Sequence, residues 1–590
     1  MADTITLSPQ VKVNGAPLAT TWQGALLELR VEHALNVPAR VTLRFADPGY
    51  ALLTSNSVSL DDPLEVGGPG GSPTLFTGTV TGVGSEQREG EQPELVLVGH
   101  DKSYKLGLTS RVKTWTEDTI SNMVSSLLTT ESTLSASWSG TTQKLDYLLQ
   151  VDTDLGLLGE LTRREGADWV VKGSTVHIGK PDELAGTMGT VSLTLGDDLL
   201  SFSARATPAP EQVSVSGWDN VAQQTVTGAS SSASSGISPS STLAGLATGS
   251  ATFVTAAVGA RSSSEATTLS QAIFDLRAAA AVEATGTAVG NGGLAPGAKV
   301  TISGAGPLSG TYPVTAVEHV YRPRRGFITR FRSGDRRPAG LADSRSANGF
   351  GPAGSVVGHY GVTAGIVTNI KDPEKIGRVK LRFPGMSSTQ ESAWARVVAM
   401  GGGSSRGNVF LPEVDDEVLV AFEDGDTRVP VVIGGLYGKS LTMPTITVTE
   451  GKVVKRELVS RLGHTVRFLD GTQTKDMAIE LALADGANIV HLGADKTTVT
   501  VKQGNELTFT VGQTTITVAS GTGALSIKAG TIKIQATQQL ELTAPKIVIS
   551  SDGTLTLEAQ AMTKLAGASV QVQAEAVVTI SGTPVSINGG

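Results

Sequence analysis

From about Leu441 to Gly590, apolar residues alternate with Thr, Ser, Gln or Lys at a period of two. The register is visible in Val499/Val501, Leu507/Phe509/Val511, Ile516/Val518, Leu525/Ile527, Ile532/Ile534, Leu540/Leu542 and on to Val585/Ile587. In a strand this spacing sends every apolar side chain to one face and the hydroxyls to the other. The strands recur at solenoid-like intervals, yet each supplies too little apolar surface to close a core within one chain. Aromatic bulk does not help, because Phe468 and Phe509 are the only aromatic residues in this stretch. The pattern predicts a stiff, thin β-structure completed by several copies of the chain. Three intertwined copies would also remove the open sheet edges.

Upstream, the periodicity is mixed. Segments such as LLELRVEHALN, VPARVTLRFAD, FTGTVTGVGSE and ELVLVGHDKSYKL alternate as strands, whereas Thr119 to Leu128 and Asp152 to Glu165 have helical spacing, the latter with Asp152 or Asp154 as cap. A Ser-rich stretch within residues 228–249 predicts a flexible insertion. An Ala-rich helix from Ser262 to about Ala288 follows, then strands from Gly297 to Arg332. Eight arginines between Arg322 and Arg345 mark a junction, read either as a surface for an acidic partner or as a solvated linker. The expected organisation is 1–335, a linker at 336–359, a compact barrel at 360–440 and a needle at 441–590.

Composition narrows the functional classes. With 70 glycines, 39% apolar and 4% aromatic residues, the 590-residue chain is expected to be mainly β and to hold several domains. A formal charge of -8 argues against a nucleic-acid surface. Absence of cysteine removes disulfides and thiolate metal sites. The N-terminus lacks a basic start and an apolar core, so the chain is expected to be made in the cytoplasm without a signal peptide.

Between residues 361 and 438 the sequence reads GVTAGIVTNIKDPEKIGRVKLRFPG after Tyr360, then SAWARVVAMGGG and NVFLPEVDDEVLVAFEDGDTRVPVVIGGLYG. Five short alternating strands in this span suit a small barrel, and Pro373 with Gly377 makes DPEKIG a turn. Together, Asp372-Pro373, Gly377-Arg378-Val379, Trp394-Ala395-Arg396-Val397, Pro412-Glu413-Val414 and Gly425-Asp426 resemble the OB-fold domain of contractile-injection spikes. These are the VgrG family of type VI secretion, the central spikes of contractile phage tails and the spikes of extracellular injection systems. Tyr147 to Val171 and GLAPGAKVTISGAGPLSGTYPVTAVEHVY are similar to the hub of the same family. Asp415 stands where that family usually has glycine, a departure that bears on the geometry of its turn.

The resemblance implies a phage hub-like double β-barrel with helices, an OB-fold barrel and a C-terminal intertwined triple-stranded β-helix. It further implies a homotrimeric spike without catalysis. The expected partners are an inner tube, baseplate proteins, a PAAR-type tip and an effector cargo, in a phage tail-like particle that acts outside the cell. The tip would be held by Val585, Ile587, Asn588, Gly589 and Gly590. Catalytic, cofactor and metal sites are expected to be absent. The seven histidines are scattered without HxH or HExxH spacing, and Gly438-Lys439-Ser440 lacks the glycine a phosphate loop requires at Ile433. His319 is expected as a half-buried strand residue and Trp394 as a core residue. The alternative, a tailspike enzyme degrading polysaccharide on a β-helix, would need carboxylate pairs and aromatic sugar platforms.

Overall fold

A computed structural model describes the chain apart from residues 1–7, 56, 69–72, 132, 139, 141–143, 235–240, 250, 257–258, 337–360, 445–447 and 588–590. It is mainly β and divides into two compact units, Met1–Met443 and Pro444–Gly590.

The first unit is organised by an eleven-stranded sheet. One half contains, in order, Leu199–Ala206, Val282–Val289, Gly326–Ser333 and Ala316–Arg322. The other continues with Leu26–Ala34, Arg40–Ala46, Glu94–His100, Phe76–Glu86, Pro63–Gly67, Gln10–Val13 and Ala16–Pro17. Strict alternation explains its two faces. Val41, Leu43 and Phe45 are fully buried, while Arg40, Thr42 and Arg44 point the other way. Each half has its own core, one around Phe45, Leu64 and Leu97, the other around Tyr312, Val300 and Phe331.

Between these halves in sequence lies a mixed segment with a third core on Trp169 and Leu157. Its helices are Ile120–Glu131 and Asp154–Arg164. The cap of the second is Thr153, whose Oγ1 accepts from Gly156 N, and neither Asp152 nor Asp154. The Ala-rich helix runs Ser263–Ala280, capped by Ser262. It stops eight residues short of the expected end because the β-rich sequence VEATGTAV leaves as the strand Val282–Val289. Within 228–249, Gln224–Ser230 completes a strand and Ser241–Leu246 forms a helix. Beyond Arg336, the linker expected at 336–359 lies outside the described residues.

The barrel orders Lys380–Arg382, Val362–Asn369, Glu417–Phe422, Pro430–Gly435 and Arg396–Val397, with the Val379–Ala395 bridge joining its ends. Asp415 has φ 74°, so the left-handed turn is kept although a Cβ is present. Asp is among the residues that tolerate this region, and Asp415 N still donates to Val367 O at 2.9 Å. Trp394 is not in the core. It lies half-buried on a cleft wall, its ring centroid 5.9 Å from the Arg378 guanidinium and 5.6 Å from Lys380 Nζ.

In the second unit the alternation is satisfied partly within the chain. Lys455–Val459, Thr465–Asp470, Met477–Ala482, Ile489–Gly493 and Thr497–Thr500 form an antiparallel meander. Glu506–Val511, Thr514–Ala519 and Ala524–Lys528 form another. From 529 to 587 no residue is in a strand, and those from 530 on are exposed.

Candidate functional site

Two features stand out: a buried joint within the first unit and an uncovered apolar face in the second.

The joint begins with the strand Lys144–Gln150, whose Tyr147 and Leu149 enter the barrel core beside Leu381, Val418 and Phe422. Tyr147 Oη donates to Glu391 O at 3.0 Å, and burial pushes its hydroxyl pKa up. Next to it, buried charges link three segments far apart in sequence. Arg428, in the turn before Pro430, donates to both oxygens of Asp426, to Glu265 at 2.8 Å and to Gly259 O. Glu265, in the first turn of Ser263–Ala280, also pairs with Arg164 of the helix Asp154–Arg164, and Arg164 reaches Glu160 at 3.3 Å.

The side chains of Arg164, Glu265, Asp426 and Arg428 are at most 11% exposed. Burial alone would raise the carboxylate pKa values. The facing arginines prevail and hold Glu265 and Asp426 below the usual range, so the cluster stays ionised at neutral pH. A buried, mutually paired cluster of this kind fixes one relative placement of barrel and hub, since any other would strand a charge.

The uncovered face follows from register. In the five-stranded meander Leu458 lies opposite Val466, Val466 opposite Leu481, and Leu481 opposite Val490 and so on to Val499. The parallel row is Phe468, Ile479 and Leu492. Phe468, Ile479, Leu481 and Leu492 remain 46%, 43%, 50% and 49% exposed. The three-stranded meander repeats this with Leu507/Val518/Leu525 and Phe509/Ile516/Ile527.

The opposite face of the larger meander carries Glu457, Arg467, Glu480 and His491 in one cross-strand row. Arg467 is 2.9 Å from Glu457, and His491 Nδ1 is 2.9 Å from Glu480. Among the described residues of this unit only Thr465 and Ala482 are buried. An apolar face of this extent, backed by a self-paired polar one, marks a surface for association.

Of the expected tip residues, Val585 and Ile587 are exposed, and Asn588, Gly589 and Gly590 lie outside the described residues. The arginine cluster is neither of its two expected forms at several positions. Arg322 pairs with Glu28 and Arg330 with Glu318 on the hub sheet, while Arg336 is buried against Asp168 at 2.6 Å. The joint itself escapes sequence reading, because Arg428 and Glu265 are ordinary charged residues until folding brings them together. Among the described residues no group of three or more His, Asp or Glu converges as metal ligands, and no helix is long and apolar enough to cross a membrane.

Residues 363–437 match the type VI secretion system/phage-baseplate injector OB domain, and residues 3–322 match the Alg8 N-terminal domain. The type VI secretion system spike protein VgrG3 of Vibrio cholerae is 36% identical over 75 residues, covering 12% of this chain and 7% of that protein. VgrG2a of Pseudomonas aeruginosa is 29% identical over 125 residues, covering 20% of this chain and 14% of its own. The chain thus matches only a small part of the length of these curated relatives. Among solved structures, the E. coli c3393 protein, a component of the type VI secretion system, aligns with a TM-score of 0.46 and 13% identity over 72% of this chain and all of that one. Because the Alg8 match spans more than half of the chain, the chain belongs to the Alg8 family by its N-terminal domain, and its barrel is similar to the OB domain of VgrG-type spike proteins.

Proposed function

We propose that this protein is the central spike of a contractile injection machine, a homotrimer in which three C-terminal units close their apolar faces against one another. The observation that carries this reading is the set Phe468, Ile479, Leu481 and Leu492, each close to half exposed with no covering layer among the described residues of the unit. Completing the burial of a half-exposed leucine-sized side chain is worth roughly 1 kcal/mol, so the eight apolar residues on this sheet together favour association by several kcal/mol per chain. The strandless residues 530–587 would gain backbone partners in the same step, as an intertwined β-helix.

In this reading the hub docks on an inner tube and baseplate. Sheath contraction drives the rigid trimer through a target envelope, and the spike acts outside the cell that made it. A PAAR-type protein would sharpen the tip at Val585 and Ile587, and an effector cargo would ride with it. The work is mechanical and requires no catalysis. The tailspike alternative is not favoured, because Phe468 and Phe509 face the apolar side and leave no aromatic platform on the polar side.

Light scattering on the purified full chain tests the assembly. A trimer whose second unit melts only as the trimer dissociates is expected. A stably folded monomer at micromolar concentration overturns the proposal.

A further inference from the structure

The two halves of the hub sheet meet at one pair of strands, Leu26–Ala34 against Ala316–Arg322. Both strands carry a histidine there. Val317 lies opposite His33 and His319 opposite Val31, so the rings are diagonal neighbours on the same face. His319 is 2% exposed, stacks on Phe327 at 5.8 Å and has its Nδ1 3.0 Å from Thr329 Oγ1. His33 is half-buried, but its Nε2 is sealed from solvent without a hydrogen-bond partner.

Charged groups do line the groove beside His33: Glu32, Arg40, Glu318, Arg330 and Arg332. The acids among them are engaged elsewhere, Glu32 with Arg40 at 2.7 Å and Glu318 with Arg330 at 2.7 Å. The face shared by the two rings offers a threonine, a phenyl ring and aliphatic side chains. A charged imidazole at this seam would therefore meet no carboxylate, and two would meet each other.

We propose that this seam is an acid-sensitive joint, at which protonation of His33 and His319 parts the two halves of the hub. At neutral pH the rings are neutral, and ion pairs across the strands, Arg30 with Glu318 and Arg322 with Glu28 at 2.5 Å, help to close the seam. Burial holds His33 down to about 4 and His319 to about 3, against 6.5 for a free histidine; the His33 ring further disfavours charge on His319, and a hydrogen bond to the Leu294 backbone only partly opposes this. A group with a depressed folded value stabilises the closed form above its open-state value, and this contribution is lost as pH falls from about 6.5 towards the folded values. At pH 5, opening is favoured about thirtyfold per histidine relative to pH 7.5. Glu28 does not act first. Burial would raise Glu28, but hydrogen bonds from Arg322 and Arg30 hold it below the ordinary value, so it remains charged at pH 5.

Hydrogen exchange on the assembled full chain, corrected for intrinsic rates, tests the joint at pH 7.5 and 5.0. Amides of Leu26–Ala34 and Ala316–Arg322 should exchange several hundredfold faster in acid, about thirtyfold from each histidine, while those of the barrel strand Glu417–Phe422 should not. His33→Gln should cut the acid response about thirtyfold, and adding His319→Gln should abolish it. Should the double variant not fold, His33→Gln at the groove rim decides. Seam exchange that does not change with pH, or a full acid response in His33→Gln, overturns the proposal.

Discussion

Replacing Ile479 by Asp should abolish trimer formation, and with it the stable folding of the second unit, while leaving the first unit folded. Ile479 sits at the centre of the middle strand of the larger meander, opposite Phe468 on one side and Leu492 on the other. In an isolated chain it is 43% exposed, so an aspartate there reaches water. The intrachain cost is the loss of two cross-strand contacts and some strand preference, about 1–2 kcal/mol. Within a closed trimer the same position is dry. Each copy then loses roughly 1 kcal/mol of further apolar burial, and each carboxylate costs several kcal/mol more without a partner. Three such changes exceed 10 kcal/mol for the assembly, more than any single surface change could restore.

Glu480→Gln, one residue along on the opposite face, keeps the row geometry and serves as the control. Light scattering gives the mass, and circular dichroism the melting of the second unit. A trimeric Ile479→Asp variant melting within a few degrees of wild type would refute the claim that this face is the buried one.

Three further outcomes follow from the first unit, each read by urea unfolding of the full chain. Arg428→Met should destabilise the barrel–hub joint by about 3–5 kcal/mol, because Asp426 and Glu265 would stay buried without their shared cation. Early proteolytic release of the barrel should accompany it. Asp415→Gly should be neutral or stabilising by up to about 1 kcal/mol, whereas Asp415→Val should cost at least about 1–2 kcal/mol, since φ is 74° there. Asp372→Ala should cost about 2–3 kcal/mol, because its carboxylate accepts from the amides of Glu374, Ile376 and Arg378 and from the Arg378 side chain at 2.7 Å. Burial opposes charge on Asp372, yet these donors hold its pKa down to about 2, so its contribution should persist above pH 3.8 and vanish as pH falls through about 2.

Local chemistry made much of this protein legible in its sequence. A period of two was enough to place Val499, Leu507, Phe509, Ile516 and Ile527 on apolar strand faces, because a strand has only two faces. The barrel strands were readable from the same alternation, the DPEKIG turn from Pro373 and Gly377, and the helix from residue 154 to 164 from its helical spacing, though not its Thr153 cap.

Tertiary structure decided the rest. Alternation states which residues share a face but not which strand lies beside which, so the intrachain meanders of Lys455–Lys528 appear only in the fold. Trp394 looks like a core residue in an alternating segment, yet the barrel turns it towards a cleft under Arg378 and Lys380. The charged joint unites Arg164, Glu265 and Arg428 across intervals of 101 and 163 residues, and no local pattern encodes so distant a partner. His33 and His319 likewise carry no signal until the strand Leu26–Ala34 is laid against Ala316–Arg322. The period of the chain selects the faces, while the burial of each charge and ring depends on neighbours that only folding supplies.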